Sequence, residues 1–383
     1  MHSVDGIRFI HGRKIVVKRI CLLVIVLSAL LSGHASALSE KEVLESQIDA
    51  LGLDDLKRAA QEYAPDFNWD EVPDLNEGLK GLLKEGSKSF GGILKQALHS
   101  CILLIVVVLF GGIAEGMIGT GAEKGKFAIP IASSLAITSV AVADATTLIG
   151  LGSEMIREIE VFTKVLLPTM AAVTAASGAP AAAAAKQLAA MLFSDVLISL
   201  IHRFLLPLVY AYIVACTAHA ALGNDGLKRI AGTLKWIVTS VLTMLLIAFV
   251  GYLSVSGVIA GTTDAITLKA AKFTVSSVVP VVGGILSDAA ETILVGAGML
   301  KNSVGVFGML VVLAMSVVPF LQLGIHYLAY KMTATLAATV ADSRVSGLID
   351  GISSAFGLVL GMCGACALLL LISMVSAIKV TGL

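Results

Sequence analysis

The chain has 383 residues, and its 27 Lys and Arg are balanced by 27 Asp and Glu, so the formal net charge is zero. It is 57% hydrophobic and 14% charged, with a mean hydropathy of +0.93, whereas soluble domains carry about 25% charged residues. So little polar surface cannot cover a soluble fold, so lipid is the expected solvent. The neutral balance excludes the basic footprint with which a nucleic-acid binder displaces counterions, and five scattered cysteines give no disulfide framework.

The chain opens on a secretory signature. Arg8, Arg13, Lys14, Lys18 and Arg19 form a basic region, Ile20–Leu31 an apolar core too short to span comfortably, and Ala35–Ala37 a small-x-small cleavage site. This predicts a cleaved signal peptide over residues 1–37, with an uncleaved signal anchor as the other reading. Residues 38–97 are different material, with 13 acidic against 7 basic residues. Val43, Leu44, Ile48, Leu51 and Leu56 recur at helical spacing, Ser39 and Glu42 fit a capping box, and Pro65 and Pro73 punctuate a loop before a second, glycine-weakened helix. The expectation is a small extracytoplasmic helical region over 38–97, which at about 60 residues has a marginal core of its own.

Apolar spans begin at Leu98: 98–118, 127–150, a short proline-broken piece at 164–178, 189–222, 236–260, 304–330 and 357–378. The stretch 189–222 is too long for one straight crossing and contains Pro207. A crossing needs about 20 apolar residues, which predicts five or six full crossings plus shorter broken pieces within a transmembrane domain over 98–383. The expected fold class is all-α, a polytopic membrane helix bundle with broken or half helices. With the signal removed, residue 38 lies outside, and the basic loops 119–126, 223–235 and 331–347 fall inside, as the positive-inside bias requires. That arrangement needs an even number of crossings between residues 151 and 202. Leu-Leu-Pro ends at Pro168 and Pro207, and Val-Val-Pro at Pro280 and Pro319, each pair 39 residues apart. The recurrence points to parallel internal repeats over 127–222 and 239–334; chance in so apolar a chain is the competing explanation.

No metal-ligand or protease motif is present, so no catalytic, metal-binding or cofactor-binding residue is expected. Cys363 and Cys366 have redox spacing, but they lie mid-span between glycines, where close helix packing is the expected use. Charges within apolar stretches are better leads, because each is costly unless paired or hydrated. Asp195 and Arg203 are about two turns apart and could line one face. The richest stretch is Thr263–Ile293, with Asp264, Lys269, Lys272, Asp288 and Glu291 interrupted by Pro280, Gly283 and Gly284. Proline removes a helix hydrogen bond, and broken backbone at membrane depth is tolerated only against protein or water. These eight residues are the candidate lining or contact site; the alternative is a pair of amphipathic helices lying on the outer membrane surface.

The same stretch carries a likeness. Ser254 to Gly257, Asp264, Thr267-Leu268, Ala271 to Phe273, Pro280-Val281, Ser287 to Ala289 and Leu300 to Gly305 resemble the stage III sporulation protein AE family of endospore-forming bacteria, and Glu45 to Asp49 fits it too. Roughly a sixth of the chain carries this likeness; between residues 98 and 230 only the pattern of spans agrees. The resemblance implies a non-enzymatic integral membrane subunit of a secretion-like channel between mother cell and forespore, needed for forespore development. It implies the mother-cell membrane around the forespore, with residues 38–97 in the intermembrane space. The implied partners are the other subunits of the same sporulation operon, including its ATPase and ring-forming proteins, a forespore-side channel partner and the lipid bilayer, but no nucleic acid. Broken helices and a repeat favour a different expectation, a small-solute permease.

Overall fold

The computed structural model describes residues 75–117, 123–177, 180–278 and 283–378, together with Arg58 and Gln61; over 254–300 and at a few positions near helix ends it describes the backbone alone. The signal peptide, most of the region 38–97, its capping box and Pro280 lie outside the described residues. From Leu75 on, seven α-helices follow one another: α1 Leu75–Met117, α2 Glu123–Ala176, α3 Pro180–Leu200, α4 Leu206–Leu222, α5 Asp225–Val278, α6 Gly283–Ala337 and α7 Ser343–Ile378, with a π-helical turn at Ile201–Leu205 between α3 and α4. The described residues contain no strand. Among the described residues, six stretches are long and apolar enough to cross a membrane: Gly78–Ala114, Ile131–Ala176, Ala183–Leu222, Asp225–Leu253, Lys301–Ala337 and Ser343–Ile378. The fold is a polytopic membrane helix bundle, as composition requires, since a helix satisfies its own backbone polar groups where water is absent.

Two sequence expectations are corrected. The piece 164–178 is not a separate broken segment, because α2 runs unbroken for 54 residues with Pro168 inside it. Leu166, Leu167, Met170 and Val173 are buried around that proline, and packing holds the helix together against the local cost of the missing N–H. The stretch 189–222 bends differently from a simple proline kink. The N–H of Leu206 donates to the carbonyl of Ile201, closing a wide π turn just ahead of Pro207, which absorbs the residue the proline cannot bond. Thus α2 and the α3–α4 pair are two antiparallel elements where the sequence suggested four pieces, and an even number of passes is kept.

Directions follow from pairs of touching residues. Along α6 and α7, Lys331 meets Asp350, Tyr327 meets Ser353, and Gly308 meets Met374, so these helices are antiparallel. Along α2 and α6, Asp144 meets Tyr330 and Leu166 meets Gly308, so α2 runs parallel to α7. Helix α7 is the centre: it packs against α2, α3, α4, α5 and α6, and its side chains are buried almost continuously from Val345 to Met374. A helix apolar all round belongs in such a place. Asp342 caps it, accepting a hydrogen bond from the N–H of Arg344 at 2.9 Å. Burial opposes ionisation of this carboxyl, but the Arg344 N–H and guanidinium and the Ser343 hydroxyl outweigh it and hold it below its ordinary value.

The end of α1, the turn from α4 to α5 and the link between α6 and α7 gather at one end. Gly112 of α1 abuts Val340, and Gly223 abuts the Arg344 guanidinium. Gly223 closes α4 with a left-handed φ of 69°, its N–H bonded to the His219 carbonyl at 2.8 Å. Asn224 then caps α5 through the N–H of Gly226, so only two residues separate the helices. This end carries Lys228, Arg229, Lys235, Lys331 and Arg344.

Close approach to α7 rests on small residues. A Cβ added at Gly152 would collide with Val359 and press on Cys363 at 3.2 Å, whereas one at Gly150 meets nothing within 4 Å. Gly152→Val is therefore expected to destabilise the protein by about 1–3 kcal/mol through overpacking, while Gly150→Val is expected to be neutral or slightly stabilising, because valine is a better helix former than glycine. Thermal unfolding of both variants in the same detergent checks this; equal midpoints would refute the close-packing account.

Candidate functional site

Two layers of buried or half-buried charge mark levels along the bundle. In the first, Lys331 pairs with Asp350 at 2.5 Å and the Lys235 ammonium donates to the Ser354 hydroxyl at 3.1 Å. Beside it the Tyr330 hydroxyl, fully buried, donates to Asp144 at 2.6 Å, and its ring meets Phe356 edge-on at 5.0 Å. In the second, Lys186 of α3 donates to the Ser376 carbonyl near the end of α7, and Lys301 of α6 is fully buried. On α7 the two levels are separated by Asp350 to Ser376, about 39 Å at 1.5 Å per residue, against a hydrocarbon core of about 30 Å. Between them the buried side chains of α7 are apolar apart from a few serines: Ile352, Phe356, Val359, Met362, Cys363, Cys366, Leu369 and Leu370.

A band of charge on α2 falls between these levels. Gly152 faces Val359 and Cys363, and Leu166 lies with Gly308 and Met374, so Glu154 to Lys164 run beside the apolar middle of α7. Glu154 and Arg157 pair at 2.5 Å with side chains 52% and 64% exposed. Lys164 pairs with Glu160 at 2.7 Å and is 67% exposed. The neighbouring face of α3 and the π turn adds Asp195, close enough to Lys164 to attract it, and exposed Arg203. His202 reaches Ser153 at 3.4 Å. A charged side chain facing hydrocarbon costs about 2.5–3.5 kcal/mol even on the lenient scale, and an ion pair does not remove the desolvation of its members. This face is therefore turned to water or to protein. The band can hold a hydrated surface of mixed sign, and among the described residues no group of three His, Cys, Asp or Glu could hold a metal ion.

The sequence-derived candidates sit elsewhere. Asp264, Lys269 and Lys272 fall in the last third of α5, and Gly283, Gly284, Asp288 and Glu291 in the first turns of α6. Their side chains lie outside the described residues, as does the whole of Pro280. Helix α5 ends at Val278 and α6 opens at Gly283, on either side of that proline. Along the α6 backbone Glu291 and Asp288 are 10 and 13 residues beyond Lys301, about 15–20 Å further from Lys331. Asp195 and Arg203 are both exposed, but the π turn starts between them. Cys363 and Cys366 are buried thiols, and the Cys363 thiol contacts the Gly152 carbonyl at 3.5 Å. Sequence reasoning passed over the α2 band and Lys186. A usable signal was there, since a lone lysine in an alanine-rich helix and five charges within one apolar helix both violate the composition of a lipid-facing segment.

Thiols introduced into the band test its exposure. With Cys216 replaced by serine, Arg157→Cys and Lys164→Cys are expected to react with a membrane-impermeant maleimide in open membrane fragments, while Cys363 and Cys366 react only after denaturation. Protection of both introduced thiols to the same degree as Cys363 would remove the hydrated-face reading.

Comparison with known proteins gives a consistent picture. The family model described as stage III sporulation protein AE matches residues 75–381. The chain is 27% identical over 205 residues to stage III sporulation protein AE of Bacillus subtilis (strain 168), across 54% of this chain and 51% of that protein, so the alignment spans about half the length of the relative. No solved structure matches. Since the family match takes in every helix from α1 to α7, the chain belongs to the stage III sporulation protein AE family.

Proposed function

We propose that the protein is a non-enzymatic integral membrane subunit of the secretion-like channel that joins mother cell and forespore, needed for forespore development. Family membership supports the sporulation role, and six membrane-length apolar helices support a multi-pass protein. The observation that carries the channel reading is the α2 band. Glu154, Arg157, Glu160 and Lys164 are held out from the bundle at the level of its most apolar helix, where only a hydrated lumen or a polar partner can receive them. In this reading the protein sits in the mother-cell membrane around the forespore, with residues 38–97 in the intermembrane space. Its partners are the other subunits of the same operon, the ATPase and ring-forming proteins among them, and the forespore-side component. The basic end, with Lys228, Arg229, Lys235, Lys331 and Arg344, faces the mother-cell cytoplasm by the positive-inside bias. A cytoplasmic ATPase would meet the channel on that side.

Two measurements test this. Replacing Glu154, Arg157, Glu160 and Lys164 together by leucine is expected to leave the protein in the membrane at normal amount yet sharply reduce heat-resistant spores, because the hydrated face becomes lipid-like. Normal spore counts would show that the band serves no channel. A topology reporter fused after residue 60 is expected to be active outside the cytoplasm and one within 224–234 inside; matching signals from both would reverse or discard the orientation.

A further inference from the structure

Lys186 presents an unusual combination. It is the only charged residue in the first half of α3, in an alanine-rich run, yet it is 8% exposed. Its ammonium caps the end of α7 through the Ser376 carbonyl, a favourable place for a cation because the helix dipole is negative there. One carbonyl uses one of the three donors of an ammonium group. Lys301 of α6 is fully buried as well.

A crevice opens beside Lys186 between α2, α3 and α7, with Thr174, Gln187 and Ser373 as its other polar residues and Met170 and Met374 on its apolar wall. Thr174 is satisfied by the Met170 carbonyl at 2.6 Å. The Gln187 amide meets only the Met191 thioether, at 4.0 Å, which is a weak acceptor. Ser373 is 7% exposed, and among the described residues its buried hydroxyl is the side-chain polar atom without a hydrogen-bond partner. Leaving such a group unpaired is costly. Two donors without a good acceptor, next to a buried ammonium, define what is missing: an anion with several oxygens.

We infer that this crevice binds a phosphate group, with Lys186 supplying charge and Ser373 and Gln187 supplying hydrogen bonds. A carboxylate has fewer oxygens to share among three donors. The level of the site also favours phosphate. It lies about 39 Å along α7 from the Asp350 layer, close to the 40–45 Å thickness of a bilayer with its headgroups, where phospholipid phosphates reside. Basic crevices between membrane helices suit anionic headgroups, and Met170 and Met374 offer an adaptable wall for the adjoining glycerol and acyl carbons. The phosphate thus comes either from the headgroup of an anionic phospholipid or from free phosphate in solution.

The test uses the full-length protein in phosphatidylcholine nanodiscs, with thermal unfolding as readout. One arm replaces a quarter or so of the lipid by phosphatidylglycerol; the other adds inorganic phosphate. Saturation of the site is expected to raise the midpoint by about 2–6 °C. A rise with phosphatidylglycerol alone assigns the phosphate to lipid; a rise with inorganic phosphate as well assigns it to the free ion. Lys186→Met is expected to abolish the rise. Ser373→Ala removes an unpartnered hydroxyl, so it should leave the midpoint in plain phosphatidylcholine unchanged or slightly higher while reducing the rise. Lys228→Met, at the far end of the bundle, should keep the full rise. No rise in either arm overturns the proposal, as does a rise that Ser373→Ala and Lys186→Met both retain.

Discussion

The close packing of α7 against five other helices is the contact on which the rest of the bundle depends. In hydrocarbon, apolar side chains gain nothing by leaving lipid, so helices associate through van der Waals fit and a few polar ties. Gly152 and Gly308 let α2 and α6 approach α7 so closely that a methyl group would collide with Val359 or with Met374. With those approaches fixed, the levels of all the helices are fixed too. Asp144 is brought to Tyr330, Lys235 to Ser354, Lys331 to Asp350 and Lys186 to the end of α7.

That register gives the charges their meaning. On a soluble protein, Glu154, Arg157, Glu160 and Lys164 would be ordinary exposed ion pairs worth a few tenths of a kcal/mol each. Held level with the apolar middle of α7, the same residues restrict what that face of α2 can touch. The helices also outrun the bilayer. Helices α2, α5 and α6, at 54, 54 and 55 residues, are each about 80 Å long against a core of about 30 Å. Much of their length therefore serves something other than crossing.

The polar ties differ in character at the two ends. At the basic end they are side chain to side chain and satisfied: a tyrosine to a carboxylate, a lysine to a carboxylate, a lysine to a serine. At the other end an ammonium serves a helix terminus, and a serine hydroxyl is left over. Satisfied networks fix a unique arrangement, while an unsatisfied buried group asks for a partner, which the proposed phosphate would supply.

The sequence by itself determined the solvent, the fold class and the family. Its 57% hydrophobic content forces a lipid environment, lipid forces helices, and the residues from Gly251 to Gly308 carry the family likeness. Helix ends written in local chemistry were legible as well: Pro280 with Gly283 and Gly284 falls where α5 gives way to α6. Only the tertiary structure decided the fate of Pro168 and Pro207: each removes a backbone donor and each has buried neighbours, yet one lies inside an unbroken helix and the other follows a π turn. It alone set which charges share a level with the apolar core, since register between helices far apart in sequence depends on packing at glycines and not on any local pattern. The composition of α2 and the lone Lys186 carried a hint of this, but a hydropathy profile cannot show which face of a helix a charge occupies or what stands beside it.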